Sequence, residues 1–467
     1  MPHADTRQEH DSLGNVSVPA NALYGAQTLR ALQNFPISGR TAHPALIRAY
    51  LRIKSAAATA NQVSGVLSGE NAQLITKAVS ELLKTPESEW PAIFPVDPYQ
   101  AGAGTSQNMN INEVVANIAN RIVGKPFGTY APIHPNDHVN RSQSTNDSFP
   151  TAMRLAILDA SHALTQELEA LSRAFGTKAR AWMGIPKSAR THLQDAVPMR
   201  LGQEFSAYAG TIERCAKWVN EARDGLRELG IGGSAAGTGL TVPKGYTTEI
   251  VKALSQLTGE KLRSAENLCE AMQSQSPVTY YSSMLRLMSL ELTRICNDLR
   301  LLASGPLTGL AEILLPAVQP GSSIMPGKVN PSIIEMANQT WYSVLGFDQT
   351  IAYATQAGQL ELNVMMPIMA YSMLEATHVA TNAAQILRTK CVEGLEANEP
   401  KLRKYFESTP QIATALSPKL GYEHTAKLVK ESLDTGKSVV ELVREKKLIQ
   451  ENELAALLDI EALTGRE

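Results

Sequence analysis

Aromatic side chains are scarce in this chain: Phe, Trp and Tyr together make up 5% of 467 residues. A core so poor in rings is filled mainly by aliphatic side chains. Cysteine is equally sparse. The four present, Cys215, Cys269, Cys296 and Cys391, stand far apart and form no CxxC pair. That excludes a disulfide framework and a zinc site, and it fits buried free thiols in a reducing compartment. No block of like charge is found, and 43 basic residues face 45 acidic ones for a formal charge of −2. Such a balance removes the basic patch that nucleic acid or an anionic membrane would require. No apolar run approaches the roughly 18 residues that span a bilayer. The first residues, MPHADTRQEHDSLG, lack the basic-then-apolar order of a secretory signal. A cytoplasmic protein is expected, with small molecules as the remaining ligand class.

What the chain does contain is helical periodicity. Ile157, Leu164, Leu168, Leu171 and Phe175 recur at four–three spacing, as do Met288, Leu292, Ile295, Leu299 and Leu302. In the second segment Leu285, Leu287, Leu290, Cys296 and Leu301 are apolar as well, so that helix is expected to meet neighbours on several sides. Similar patterns predict helices near 43–64, 199–228, 245–258, 333–357 and 368–390, with several short ones after 397. The fold class expected is all-α, an elongated multi-helix bundle. It divides into an N-terminal helical domain (1–145), a central long-helix domain (146–396) and a small C-terminal helical domain (397–467). One subunit offers too little to cover so much apolar helix surface, so a homo-oligomer is expected.

Polar residues concentrate in four connections: 97–110, 134–148, 185–195 and 321–332. Three short motifs within or near them fail their context tests. Gly321 with Gly327-Lys328 is no P-loop, because five residues separate the glycines and Val329 follows the lysine. GIGGSA (230–235) follows a helix end and not a strand, so the dinucleotide reading fails. His134 and His138 have metal-ligand spacing, but Pro135 lies between them and no third ligand is apparent, so no metal is expected there. What remains is dense in hydrogen-bond donors. Thr105 and Ser106 stand at a helix start, as do Ser144, Thr145 and Asn146. Arg190, Thr191, His192, Gln194 and Asp195 cluster together, and Ser322, Ser323, Lys328 and Asn330 share one loop. A lone histidine is more often structural than catalytic, yet His192 has neighbours able to fix its tautomer. Together these donors suit a small, multiply charged carboxylate better than a polymer or an apolar molecule.

The same stretches carry a resemblance. GSSIMPGKVNP (321–331) resembles the signature loop of the aspartase/fumarase superfamily. QAGAGTSQNMNINEV (100–114), NRSQSTND (140–147), ARTHLQDAVP (189–198) and NDLRLLASGP (297–306) resemble its other conserved stretches, in the same order. RTHLQDAVP, QSTND and QAGQLELNVM (356–365) are closest to the aspartase forms. The resemblance implies a homotetramer whose active sites each gather loops from three subunits. It implies anti elimination of ammonia from L-aspartate to give fumarate, with no organic cofactor and no metal. Ser322 would be the base, Lys328, Asn330 and Thr191 would hold the α-carboxylate, and Thr105, Ser144, Thr145 and Ser323 would surround the β-carboxylate. Asn146 and His192 would lie near the amino group, and Glu335 would pair with the histidine.

Some positions depart from the family pattern. Leu307 stands where an arginine is usual and Met366 where a glutamate is usual, which reads as an ion pair exchanged for an apolar contact. Three alternatives stay open: a class II fumarate hydratase, a lyase for a substituted aspartate, and a non-catalytic helical scaffold.

Overall fold

The structure, a computed structural model, describes residues 5–465. A first hairpin pairs β1 (Thr6–Asp11) with β2 (Gly14–Pro19). Helices follow as α1 (Ala26–Asn34), α2 (Pro44–Val63), α3 (Gly69–Lys84), α4 (Trp90–Ile93), α5 (Thr105–Ile122) and α6 (Thr145–Ala181). A second hairpin, β3 (Pro186–Thr191) with β4 (Gln194–Arg200), leads into α7 (Leu201–Ala222) and α8 (Tyr246–Thr258). Then come α9 (Leu268–Gln273), α10 (Ser276–Leu302), α11 (Ser332–Gln356) and α12 (Met366–Lys390), with short helices to residue 464. The fold is all-α, as the periodicity predicts. The chain forms two compact units: Met1–Thr165, Lys217–Ser289 and Tyr342–Thr381 in the first, and Gln166–Ala216, Leu290–Trp341 and Asn382–Glu467 in the second.

The seam residues are buried as expected. Ile157, Leu164, Leu168, Leu171 and Phe175 are all inaccessible, and so are Met288, Ile295 and Leu299. On α10 the other side of the helix differs: Tyr280, Leu290 and Leu301 remain exposed. The cysteines are free thiols, with Cys215, Cys296 and Cys391 buried. Leu307 is 89% exposed, so within one chain it is not the apolar half of an exchange with the buried Met366.

Within the first unit periodicity misses α1, α3 and also α5, of which only the start at Thr105 is expected. The α5 sequence is rich in asparagine, a weak helix former, yet Asn108, Asn110, Asn112, Asn117 and Asn120 are all buried. Most of their amide groups find partners on neighbouring segments, while Asn112 Oδ1 has none among the described residues. Asn120 exchanges two hydrogen bonds with the backbone of Ile133, at 2.8 and 2.9 Å. Asn117 donates to Leu23 O and accepts from Gly128 N. Glu113, further along the same helix, accepts from Gly25 N, Gln27 N and both donors of Thr28. That carboxylate supplies the N-terminus of α1 with the acceptor that its own Gly25 cap cannot provide. In the second unit the segment 185–195, expected as a loop, is mostly the β3–β4 hairpin. The short C-terminal helices pack around Ile412, Leu416, Leu428, Val439, Leu442, Val443 and Leu454.

Candidate active site

The first unit carries Thr105, Ser144, Thr145 and Asn146 at the starts of α5 and α6. Gly104, at φ +84°, precedes Thr105, and a Cβ there would lie 1.9 Å from the Phe149 ring. No side chain fits, so α5 begins close against the first turns of α6. The starts of the two helices are also bonded: Asn108 Nδ2 donates to Thr145 Oγ1 at 3.1 Å. Ser144 and Asp147 cap α6 locally, with Ser144 N donating to Asp147 Oδ1 at 3.0 Å and Asn146 N to Ser144 Oγ at 3.2 Å. The 230–235 loop, rejected as a nucleotide motif, has a mechanical role here. Gly232 N and Ser234 N donate to Asp147 Oδ2 at 3.1 and 2.9 Å, and Asn146 Nδ2 donates to Ala235 O at 2.8 Å.

Two buried charges lie behind this cluster, and sequence reasoning missed both. Lys54 on α2 is fully buried and bonded to Asn108, Asn140 and Gln143. Burial lowers its ammonium to about 7, with the Asp147 charge opposing. Asp147 is likewise inaccessible, and burial pushes its carboxyl up to about 7 against the pull of three backbone amides and Lys54. A signal existed: Lys54 is a charge whose helical neighbours Tyr50, Ala57 and Ala58 are all apolar.

The second unit carries Thr191, His192, Ser322, Ser323, Lys328, Asn330 and Glu335. Thr191 and His192 occupy the exposed tip of the β3–β4 hairpin. The turn is two residues long, and both carry positive φ, His192 at +54° and Leu193 at +58°. Such turns favour Asn-Gly, so His-Leu holds a strained backbone. The hairpin is anchored by charge pairs along β3. Lys187 pairs with Glu204 at 2.7 Å and with Glu312 at 2.8 Å, and Arg190 pairs with Glu312 at 2.7 Å. Arg190 also lies over the Tyr405 ring.

Residues 321–330 form a loop closed at its neck. Gly321 N donates to Lys328 O at 2.8 Å, and Asn330 Nδ2 donates to Gly321 O at 2.6 Å. A Cβ on Gly321 would meet Lys328 O at 2.4 Å, so the neck demands glycine. Inside the loop, Ser322 Oγ accepts from Ile324 N at 3.2 Å and Met325 N at 3.0 Å. Two amide donors on one hydroxyl oxygen favour its deprotonated form. Ser323 and Lys328 are exposed, and Glu335 lies in the first turn of α11. Among the described residues no hydrogen bond joins the His192 tip to this loop. The His134/His138 pair is occupied with backbone: His134 Nδ1 accepts from Asn136 N and Asp137 N, and His138 Nδ1 from His134 N.

Comparison with known proteins agrees with this architecture. A family model described as lyase matches residues 14–346, and one described as fumarase C C-terminus matches 412–465. An aspartate ammonia-lyase from a Bacillus species is 44% identical, covering 98% of this chain and 97% of its own length. A class II fumarate hydratase from Corynebacterium glutamicum is 43% identical, covering 100% and 98%. The crystal structure of a fumarate lyase:delta crystallin from Brucella melitensis bound to cobalt superimposes with a TM-score of 0.95 at 43% identity, covering 99% of this chain and 100% of the other.

Proposed function

The chain belongs to the lyase family of the aspartase/fumarase type, and from that membership we propose that it reversibly deaminates L-aspartate to fumarate and ammonia. The observation that carries this reading is the Ser322 oxygen held by the amides of Ile324 and Met325. A proton beside a carboxylate is very weakly acidic, so its removal places a second negative charge on that carboxylate. The aci-carboxylate forms only if preset donors converge on it, and each such donor is worth about 100- to 1000-fold in rate. Ser322 takes the proton, while Thr105, Ser144, Thr145 and Ser323 hold the charge that develops. Lys328, Asn330 and Thr191 bind the α-carboxylate. Asn146 and His192 attend the amino group, and Glu335 supports the histidine. Because these residues sit on separate loops, the reading includes a homotetramer in which three subunits contribute to each site. Proton removal and loss of ammonia proceed from opposite faces. Ammonia leaves as the aci-carboxylate collapses, and fumarate results.

The similar class II fumarate hydratase makes hydration of fumarate the second reading. Purified protein incubated with L-aspartate or L-malate separates them, with fumarate followed by ultraviolet absorbance and ammonia measured independently. Ammonia released in step with fumarate from aspartate is the expected result. Fumarate from malate alone would replace this reading with the hydratase. Silence on both substrates would leave a different substrate or a scaffold.

A further inference from the structure

Lys54 is buried with no carboxylate bonded to it among the described residues, and the three side-chain oxygens around its nitrogen mark the ammonium form, an arrangement that stability alone does not favour. Its partners are amide oxygens: Asn108 Oδ1 at 2.7 Å, Gln143 Oε1 at 2.9 Å and Asn140 Oδ1 at 3.3 Å. An ammonium has three protons and accepts nothing. It therefore dictates which end of each amide faces it. With its oxygen committed to Lys54, the Asn108 side chain can turn only its NH2 the other way. That group donates to Asn140 Oδ1 and Thr145 Oγ1, both at 3.1 Å. The rest of the network agrees in sense, since Gln143 Nε2 donates to the carbonyls of Val139 and Arg141 at 3.0 and 3.1 Å. Asn140 Nδ2 donates to Gln143 O. Thr145 thus receives a hydrogen bond from inside the protein, and its own proton is left over.

We propose that Lys54 is a positioning residue which, through Asn108, sets the direction of hydrogen bonding so that the Thr145 hydroxyl offers its proton to a substrate carboxylate. This rests on the reading of Thr145 as a carboxylate donor. Without the ammonium, the Asn108 amide is free to present its oxygen to Thr145. The Thr145 hydroxyl then donates inward and has nothing left for the ligand.

The test is Asn108→Asp, which keeps shape and gives Lys54 a charged partner but cannot donate to Thr145. Measured beside wild type are melting temperature, succinate affinity by calorimetry, and kcat/KM for L-aspartate. The expected result is an unchanged or higher melting temperature, with weaker succinate binding and kcat/KM lowered about 100-fold, the scale of one lost donor. Lys54→Met should lower the same two parameters. In a Thr145→Val background neither change should lower them further, because the effect passes through that hydroxyl. Wild-type binding and turnover in Asn108→Asp would overturn the proposal. So would a loss that persists undiminished in Thr145→Val, which is the mark of plain charge repulsion. If wild type binds succinate without acting on aspartate, the reaction reading fails and the binding arm still decides this one. If wild type binds no succinate, Thr145 has no carboxylate to serve and the proposal falls.

Discussion

At Ser322 the hydroxyl that must become a base accepts two amide protons from residues immediately ahead of it in the chain. Replacing Ser322 by alanine should lower kcat about 100- to 10,000-fold, the range for a positioned proton acceptor. Circular dichroism and oligomer size should be unchanged, because the loop neck does not use the side chain. Activity within tenfold of wild type would remove Ser322 from the mechanism. The residues of this loop were legible in the sequence because their signal is local: a polar run with glycines at fixed places. Lys54 and Asp147 were not, because what they do is decided by distant partners, Gln143 lying 89 residues from Lys54 and Gly232 85 residues from Asp147.

Two elements carry predictions of their own. The β3–β4 turn holds Leu193 at positive φ with its side chain 71% exposed. Leu193→Gly should therefore raise stability by about 1 kcal/mol or somewhat less, since the strain of a left-handed residue exceeds the flexibility gained by the unfolded chain. A lower urea midpoint would show that the turn is not strained. The second is the start of α2, where His43 Nδ1 accepts from Ala45 N at 3.1 Å and the ring meets His378 edge-on. Burial, aided by His378 and Arg48, lowers the His43 pKa to about 4. The unfolded chain, titrating near 6.5, binds the proton more readily than the folded one. Stability present above about pH 6.5 is therefore lost as pH falls toward about 4. His43→Asn keeps the cap and removes the titration, so its stability should vary less over that window in urea titrations. The long helices were legible because their apolar spacing is regular. Of the asparagine-rich α5 only the start was legible, because its buried amides gain their partners from segments that fold against it.

At the scale of the molecule, the exposed apolar side chains of α10 are the feature that a single chain leaves unexplained. Tyr280, Leu290 and Leu301 remain 53%, 50% and 42% accessible, as expected of a surface covered by other copies. Leu290→Glu should reduce the sedimentation coefficient and abolish turnover together; an active monomer would contradict sharing of the site. If three subunits build each site, mixing inactive Ser322→Ala chains with inactive Thr145→Val chains should restore a fraction of activity after subunit exchange, and no recovery would argue against it. The all-α assignment came from composition and spacing, whereas the partition into two units depends on contacts that no local pattern encodes. The pinched neck of residues 321–330 makes the loop a closed ring. Since both ends are fastened to one another, insertions or exchanges inside the ring leave the scaffold's geometry alone. A change inside the ring is thereby confined to the loop and need not disturb the packing of the helices beneath.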